Sequence, residues 1–132
     1  INSVIQGSEF TIYGNNYNTP DGTCIRDYVH VSDLASAHVS ALQYLLEGNE
    51  SSEINLGSGV GTSNLDLVKY IQNAGYKINW RFGEKRAGDP DRLVASNKLA
   101  KHMLNWEPLN SKIDIIIDSA MAWHKKQLKI LD

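Results

Sequence analysis

Residues 54–71 read INLGSGVGTSNLDLVKYI, from Ile54 to Ile71. Ile54-Asn-Leu56 has the apolar alternation of a short strand. Gly57, Gly59 and Gly61 follow as a turn. Ser63-Asn-Leu-Asp66 is a capping box that opens a helix, which Gly75 closes. A strand, a glycine turn and a helix in that order are the unit of an α/β layer.

The same alternation extends outward in both directions. Residues 1–6 read as the tail of a helix, and Phe10-Thr-Ile-Tyr13 as a strand rich in β-branched and aromatic residues. Residues 14–22 carry dense turn chemistry. A strand is expected at Asp27–Val31. Ser32 should cap a helix running to Glu47, with Gly48 ending it and Leu34, Ala37, Ala41, Leu42 and Leu45 on its apolar face. Downstream, Lys77–Phe82 reads as a strand and 83–91 as an irregular polar segment. Ser96 should cap a helix ending at Leu104. Ser111-Lys-Ile-Asp114 reads as a second capping box, opening a last helix that buries Ile113, Ile116, Ile117, Ala120 and Trp123. Lys125, Lys126 and Lys129 suit the negative end of that helix.

Composition narrows the function classes. The chain has 132 residues, enough for one domain, here 1–132. Its net charge of −2 argues against a dedicated nucleic-acid or membrane-surface role. It has one cysteine, Cys24, and no long apolar run, so a cytoplasmic location is expected and Cys24 reads as a packing residue. The four histidines lack zinc-ligand spacing, so no metal is expected. His38 reads as a core residue. The start at Ile1 points to a piece of a longer chain.

Two features compete as the functional signature. The glycine turn lies where backbone N–H groups can hold a phosphate, and Glu84, 23 residues after Gly61, lies near the spacing of a ribose-binding acid. The spacing is G-x-G-x-G, however, and not that of a dinucleotide fingerprint. The rival is a set of cations outside the helices: Arg26 on one segment, and Arg81, Lys85, Arg86 and Arg92 within twelve residues of another. Arginine forks match phosphate oxygens, and Asp89 in the same loop is suited to ribose hydroxyls. On the residues alone, a solvated charged loop, with Arg26 and Asp27 paired to neighbouring backbone, remains open.

Four stretches carry a resemblance: TIYGNNYNTPDGTCIRDYVHVSDLASAHVSAL (11–42), INLGSGVGTSNLDLV (54–68), RAGDPDRLVAS (86–96) and LNWEP (104–108). Together the chain resembles the substrate-binding, C-terminal part of the UDP-glucose 4-epimerases, extended short-chain dehydrogenases/reductases. The resemblance implies an α/β substrate-binding domain without the N-terminal Rossmann domain. It implies that Arg26 and Arg86 grip a diphosphate and that Asp89 binds ribose. Thr11, Ile12 and Tyr13 would form the strand whose backbone pairs with uracil, with Tyr13 beside the base, and Leu93 would line the hexose pocket. The glycine turn would be scaffold.

The resemblance further implies that NAD is the cofactor, held by the missing N-terminal domain, and that the substrates are UDP-glucose and UDP-galactose in galactose metabolism. The family's catalytic Tyr-x-x-x-Lys is absent: no tyrosine here has lysine four residues on. This chain alone is therefore expected to be inactive. It would anchor the UDP moiety while a 4-keto sugar turns over, packed on the NAD-binding domain of the same chain or self-associating without it. The alternatives are another sugar-nucleotide epimerase or dehydratase, and a stand-alone UDP-sugar-binding module.

Overall fold

The computed structural model describes residues 1–131, with side chains to Leu128. The elements run α1 (Asn2–Gln6), β1 (Glu9–Tyr13), β2 (Ile25–Asp27), α2 (Val31–Leu46), β3 (Gly61–Ser63), α3 (Asn64–Asn73), β4 (Asn79–Gly83), β5 (Arg92–Leu93), α4 (Lys98–Leu104) and α5 (Ile113–Leu131). The strands form two small sheets. β1 and β4 pair in parallel, Tyr13 opposite Gly83. β2 lies between antiparallel β3 and parallel β5, with Arg26 opposite Leu93.

Two apolar clusters support these sheets. Ile12, Val68, Ile71, Ile78, Ile117 and Met121 are buried where α3, α5, β1 and β4 meet. Ala37, Ala100, Leu104 and Trp106 form the other, between α2 and α4. The Trp106 indole N–H donates to the Asp33 carbonyl at 2.9 Å, which lets a tryptophan be buried without an orphaned donor. The ends of α2 and α3 follow their sequence signals. Ser63 Oγ accepts from the Asp66 N–H at 3.0 Å, and Gly48 and Gly75 adopt the left-handed φ that terminates a helix.

Several expectations fail, each for a local reason. The strand expected at Asp27–Val31 ends at Asp27, because His30 caps α2: its Nδ1 accepts from the Ser32 N–H at 3.0 Å. Ser32 is thus inside the helix. Ser96 does not cap α4; Asn97 holds that position without a side-chain bond. The Ser111–Asp114 capping box does not form. Ser111 Oγ instead donates to Asp33 at 2.5 Å and accepts from the His30 N–H at 2.9 Å. Ile54–Leu56 is not a strand, since it has no sheet partner among the described residues. Trp123, Leu42, Leu45 and His38 are exposed rather than buried. The side chain of Lys129 lies outside the described residues.

Candidate functional site

The glycine turn already holds an anion, and that anion belongs to the chain. Asp27 Oδ1 accepts from the Ser58 N–H at 2.9 Å and from Ser58 Oγ. Its Oδ2 accepts from the Gly59 N–H at 3.2 Å and from the Ala95 N–H at 3.1 Å. Gly57 is required by this approach: a Cβ there would sit 2.5 Å from Asp27 Oδ2 and 2.6 Å from the Ala95 methyl. The donors that could cradle a phosphate are therefore used to tie β2, the turn and the exit of β5 together. The turn is scaffold, and it offers no seat for a dinucleotide phosphate.

The Asp-Gly-Thr stretch before β2 is also structural. Asp21 Oδ1 accepts from the Thr23 N–H and hydroxyl, each at 2.8 Å, and Oδ2 accepts from Ser63 Oγ. Thr23 Oγ1 in turn accepts from the Leu65 N–H at 3.2 Å. Burial pushes the Asp21 carboxyl up, but the bonds from Ser63 and Thr23 outweigh it and hold it below the usual range. Asp33 repeats the pattern. Its burial is countered by donors from Ser111, Asn110 and Leu109, leaving its carboxyl also below the usual range.

The cations converge elsewhere. The loop 84–91 joins the end of β4 to the start of β5, so it bridges the two sheets. Arg86 lies on the Tyr13 ring, its guanidinium carbon 3.7 Å from the centroid, and the Lys85 ammonium lies 4.0 Å over Tyr17. Arg26 reaches the same loop. Its Nη1 donates to the Ile25 and Pro90 carbonyls, both at 2.9 Å, and its Nη2 lies 3.9 Å from Asp89 Oδ1.

The candidates are linked pairwise here: Arg86 lies on Tyr13, Arg26 reaches toward Asp89, Leu93 lies opposite Arg26 across β2 and β5, and Thr11 precedes Tyr13 on β1. Ile12 points the other way, 1% exposed in the core, so only its backbone is available there. The edge of β1 away from β4 has no strand partner among the described residues. An open cleft of ≈ 430 Å³ is lined by Arg26, Asn55, Leu56, Leu93 and Ser96. A second cleft of equal volume, beside Tyr28, Tyr70 and Lys112, contains none of the seven. The first is distinguished by Arg26 and Leu93, the two candidates that line it.

One contact imitates catalysis. His30 Nε2 lies 2.9 Å from Ser119 Oγ, within reach for a nucleophile–base pair. Because Nδ1 accepts from the Ser32 N–H, the proton sits on Nε2, so the ring donates to the serine and cannot take its proton. Cys24 is buried and its sulfur accepts from Asn64 Nδ2 at 3.1 Å, which fits a packing role. Among the described residues no cluster of metal-ligating side chains occurs, and no helix is long and apolar enough to cross a membrane.

The sequence reading named Lys85 among the cations but missed Tyr17 beneath it and the Pro90 carbonyl that holds Arg26. The pairing of a tyrosine at the end of β1 and another just after it, Tyr13 and Tyr17, with two consecutive cations after β4 was the available signal, because β1 and β4 are neighbours.

The chain, a two-sheet α/β fold in which Arg26 of β2 reaches a loop that carries Arg86, matches a known family. The model described as GDP-mannose 4,6 dehydratase matches residues 1–118, and the chain belongs to that family. Within it the resemblance is to UDP-glucose 4-epimerases. That of Streptococcus mutans is 47% identical over 98% of this chain and 40% of its own length. A crystal structure of a UDP-glucose 4-epimerase superposes with a TM-score of 0.89 at 43% identity, covering 96% of this chain and 39% of that one. The enzyme from Stenotrophomonas maltophila, solved with bound NAD and formylated UDP-arabinopyranose, gives 0.91 at 34% identity over 98% and 39%. The chain thus spans only 33% to 40% of the length of such curated relatives.

Proposed function

We propose that this chain is the UDP-sugar-binding part of an NAD-dependent UDP-glucose 4-epimerase. The observation that carries the reading is that Arg26 of β2 reaches the loop that carries Arg86 and Asp89, with Arg86 on the Tyr13 ring. Arg26 and Arg86 would take the diphosphate, Asp89 the ribose, the backbone of Thr11–Tyr13 the uracil, and Leu93 would face the hexose. Leu93 is 61% exposed, so it offers a loose apolar wall rather than a fixed polar grip. Such an anchor suits a sugar that must turn over without leaving: binding energy from the unreactive uridine diphosphate retains it while the ring stays free.

The chemistry itself is not assigned to these residues. NAD supplies hydride exchange when bound, and the glycine turn 57–61 is filled by Asp27, so the cofactor would belong to a domain packed alongside. Two features support such a domain. Val39, Leu42 and Leu46 present an apolar stripe at helical spacing on α2, each more than half exposed. Ile54–Leu56 has a strand's sequence but no strand beside it among the described residues. Galactose metabolism in the cytoplasm would be the setting.

Calorimetric titration of UDP tests the site. Arg26→Ala should weaken binding by roughly 1.5–3 kcal/mol, about 10- to 150-fold, as expected for a charge-assisted bond. Unchanged affinity would remove Arg26 from the site. The absence of Tyr-x-x-x-Lys from these 132 residues permits one further reading, a UDP-sugar-binding module without catalysis. UDP binding, with no interconversion of UDP-glucose and UDP-galactose even when an NAD-binding domain is supplied, would select it.

A further inference from the structure

Every polar group of His30 is engaged, and two helices meet on its ring. Its backbone N–H donates to Ser111 Oγ at 2.9 Å, and that hydroxyl donates on to the Asp33 carboxylate at 2.5 Å. Its carbonyl accepts from the Asp33 and Leu34 N–H groups at 3.0 and 3.1 Å, which opens α2. On the ring, Nδ1 accepts from the Ser32 N–H at 3.0 Å, and Nε2 lies 2.9 Å from Ser119 Oγ on α5. The Ser119 hydroxyl donates to the Ile116 carbonyl at 3.1 Å, so it meets Nε2 as an acceptor. Only a neutral ring with its proton on Nε2 satisfies all of these bonds.

Ser, Thr, Asp and Asn caps keep their acceptor near neutral pH. An imidazole cap loses its acceptor by titrating within about pH 5–8. A proton on Nδ1 would face the Ser32 N–H, donor against donor. It would also set a positive charge at the positive end of the α2 dipole. The charges around the ring do little to offset this. Asp33 is the anion on α2, and its carboxylate is already matched by donors from Asn110 and Ser111. On the α5 side, Lys112 and Lys126 stand seven residues either side of Ser119, on its face of the helix. Asp114 and Asp118 line a cleft shared with Tyr70 and Asn73 of α3. The segment before α5 brings only the neutral Asn110 and Ser111 to this network.

We propose that His30 is a proton-sensitive joint between α2 and α5. In the neutral ring one nitrogen caps α2 while the other holds α5. On protonation Nε2–H keeps Ser119, Nδ1–H repels the Ser32 N–H, and the first turn of α2 lets go. The segment so released, 28–31, leads directly from β2, which carries Arg26. The joint does not depend on the UDP reading.

The test compares the wild type with His30→Asn in the full chain, because asparagine is a strong cap that does not titrate. Between about pH 8 and about pH 5.5, above the range in which ordinary carboxylates gain protons, the wild type should lose roughly 4 °C more in Tm than the variant, the worth of one cap. Nitrogen-15 spectra of the wild-type ring should place the proton on Nε2 alone at about pH 8. Protection of the Ser32 amide from exchange should then fall roughly 5-fold as the ring gains its second proton. An equal acid loss in the two proteins overturns the joint, and so does a proton on Nδ1 at the higher pH. Where His30→Asn fails to fold, the wild-type spectra decide alone: Ser32 protection that survives protonation of the ring overturns the joint, and its loss supports it.

Discussion

Replacing Asp27 by alanine should open an anion hole and let a small carboxylate refill it. The carboxylate accepts from three backbone N–H groups and one hydroxyl, contributed by Ser58, Gly59 and Ala95. Each bond to a charged group is worth on the order of 1.5–3 kcal/mol alone. They are shared by one partly exposed side chain, and water partly replaces them. A total loss of about 3 kcal/mol is expected, typical of a broken network. For a domain of this size that corresponds to a drop of roughly 10 °C in Tm. Alanine keeps the Cβ and removes only the carboxylate, so formate has the shape of the missing group. With a Kd of about 20 mM, 200 mM formate would restore about 1.4 kcal/mol. The assay is thermal unfolding of Asp27→Ala in formate against chloride at equal ionic strength, beside the wild type. A gain confined to the variant supports the view that the turn is built around an internal anion. A loss below about 0.5 kcal/mol with no formate-specific gain would refute it.

Other outcomes follow from the same contacts. Gly57→Ala places a methyl 2.5 Å from Asp27 Oδ2 and should cost about 1–3 kcal/mol, read as a lower denaturant midpoint with an unchanged slope. Asp33 has a folded pKa below its ordinary 3.8. Its contribution is therefore complete above that value and is lost as pH falls through the depressed folded one. Asp33→Asn should lower stability at neutral pH and flatten the acid limb of the stability profile below about pH 4; an acid limb as steep as the wild type's would exclude Asp33 as a source of acid lability.

Local signals were legible where the chain satisfies itself locally. Ser63 announces α3 because the bond it makes is to the N–H three residues on. Ser111 carries the same signal and misleads, because the buried carboxylate of Asp33, 78 residues away, is a stronger attractor for its hydroxyl. The stretch 28–31 has strand-forming residues, but His30 diverts it into a helix start by a side-chain bond that propensity does not encode. Ile54–Leu56 fails differently, for a strand exists only beside another strand. In the candidate site, the residues Arg26, Arg86 and Asp89 were legible from charge and motif. The occupant of the glycine turn was not, because the spacing of glycines states that something approaches closely without stating what. Asp27 lies 30 residues before Gly57 and reaches the turn only through the pairing of β2 with β3.

The tethering of Arg26 bears on how selectively it can act. A guanidinium has five N–H donors in a rigid plane. The two on Nη1 are committed to the Ile25 and Pro90 carbonyls, which leaves those on Nη2 and Nε. The fork therefore enters recognition with its torsions already frozen by folding, and a ligand does not bear that entropy, which for a free arginine side chain is about 2 kcal/mol. A lysine could supply the charge at this position but not the plane. Preorganisation of this kind rewards a partner whose oxygens match a fixed angle, and penalises one that offers only charge.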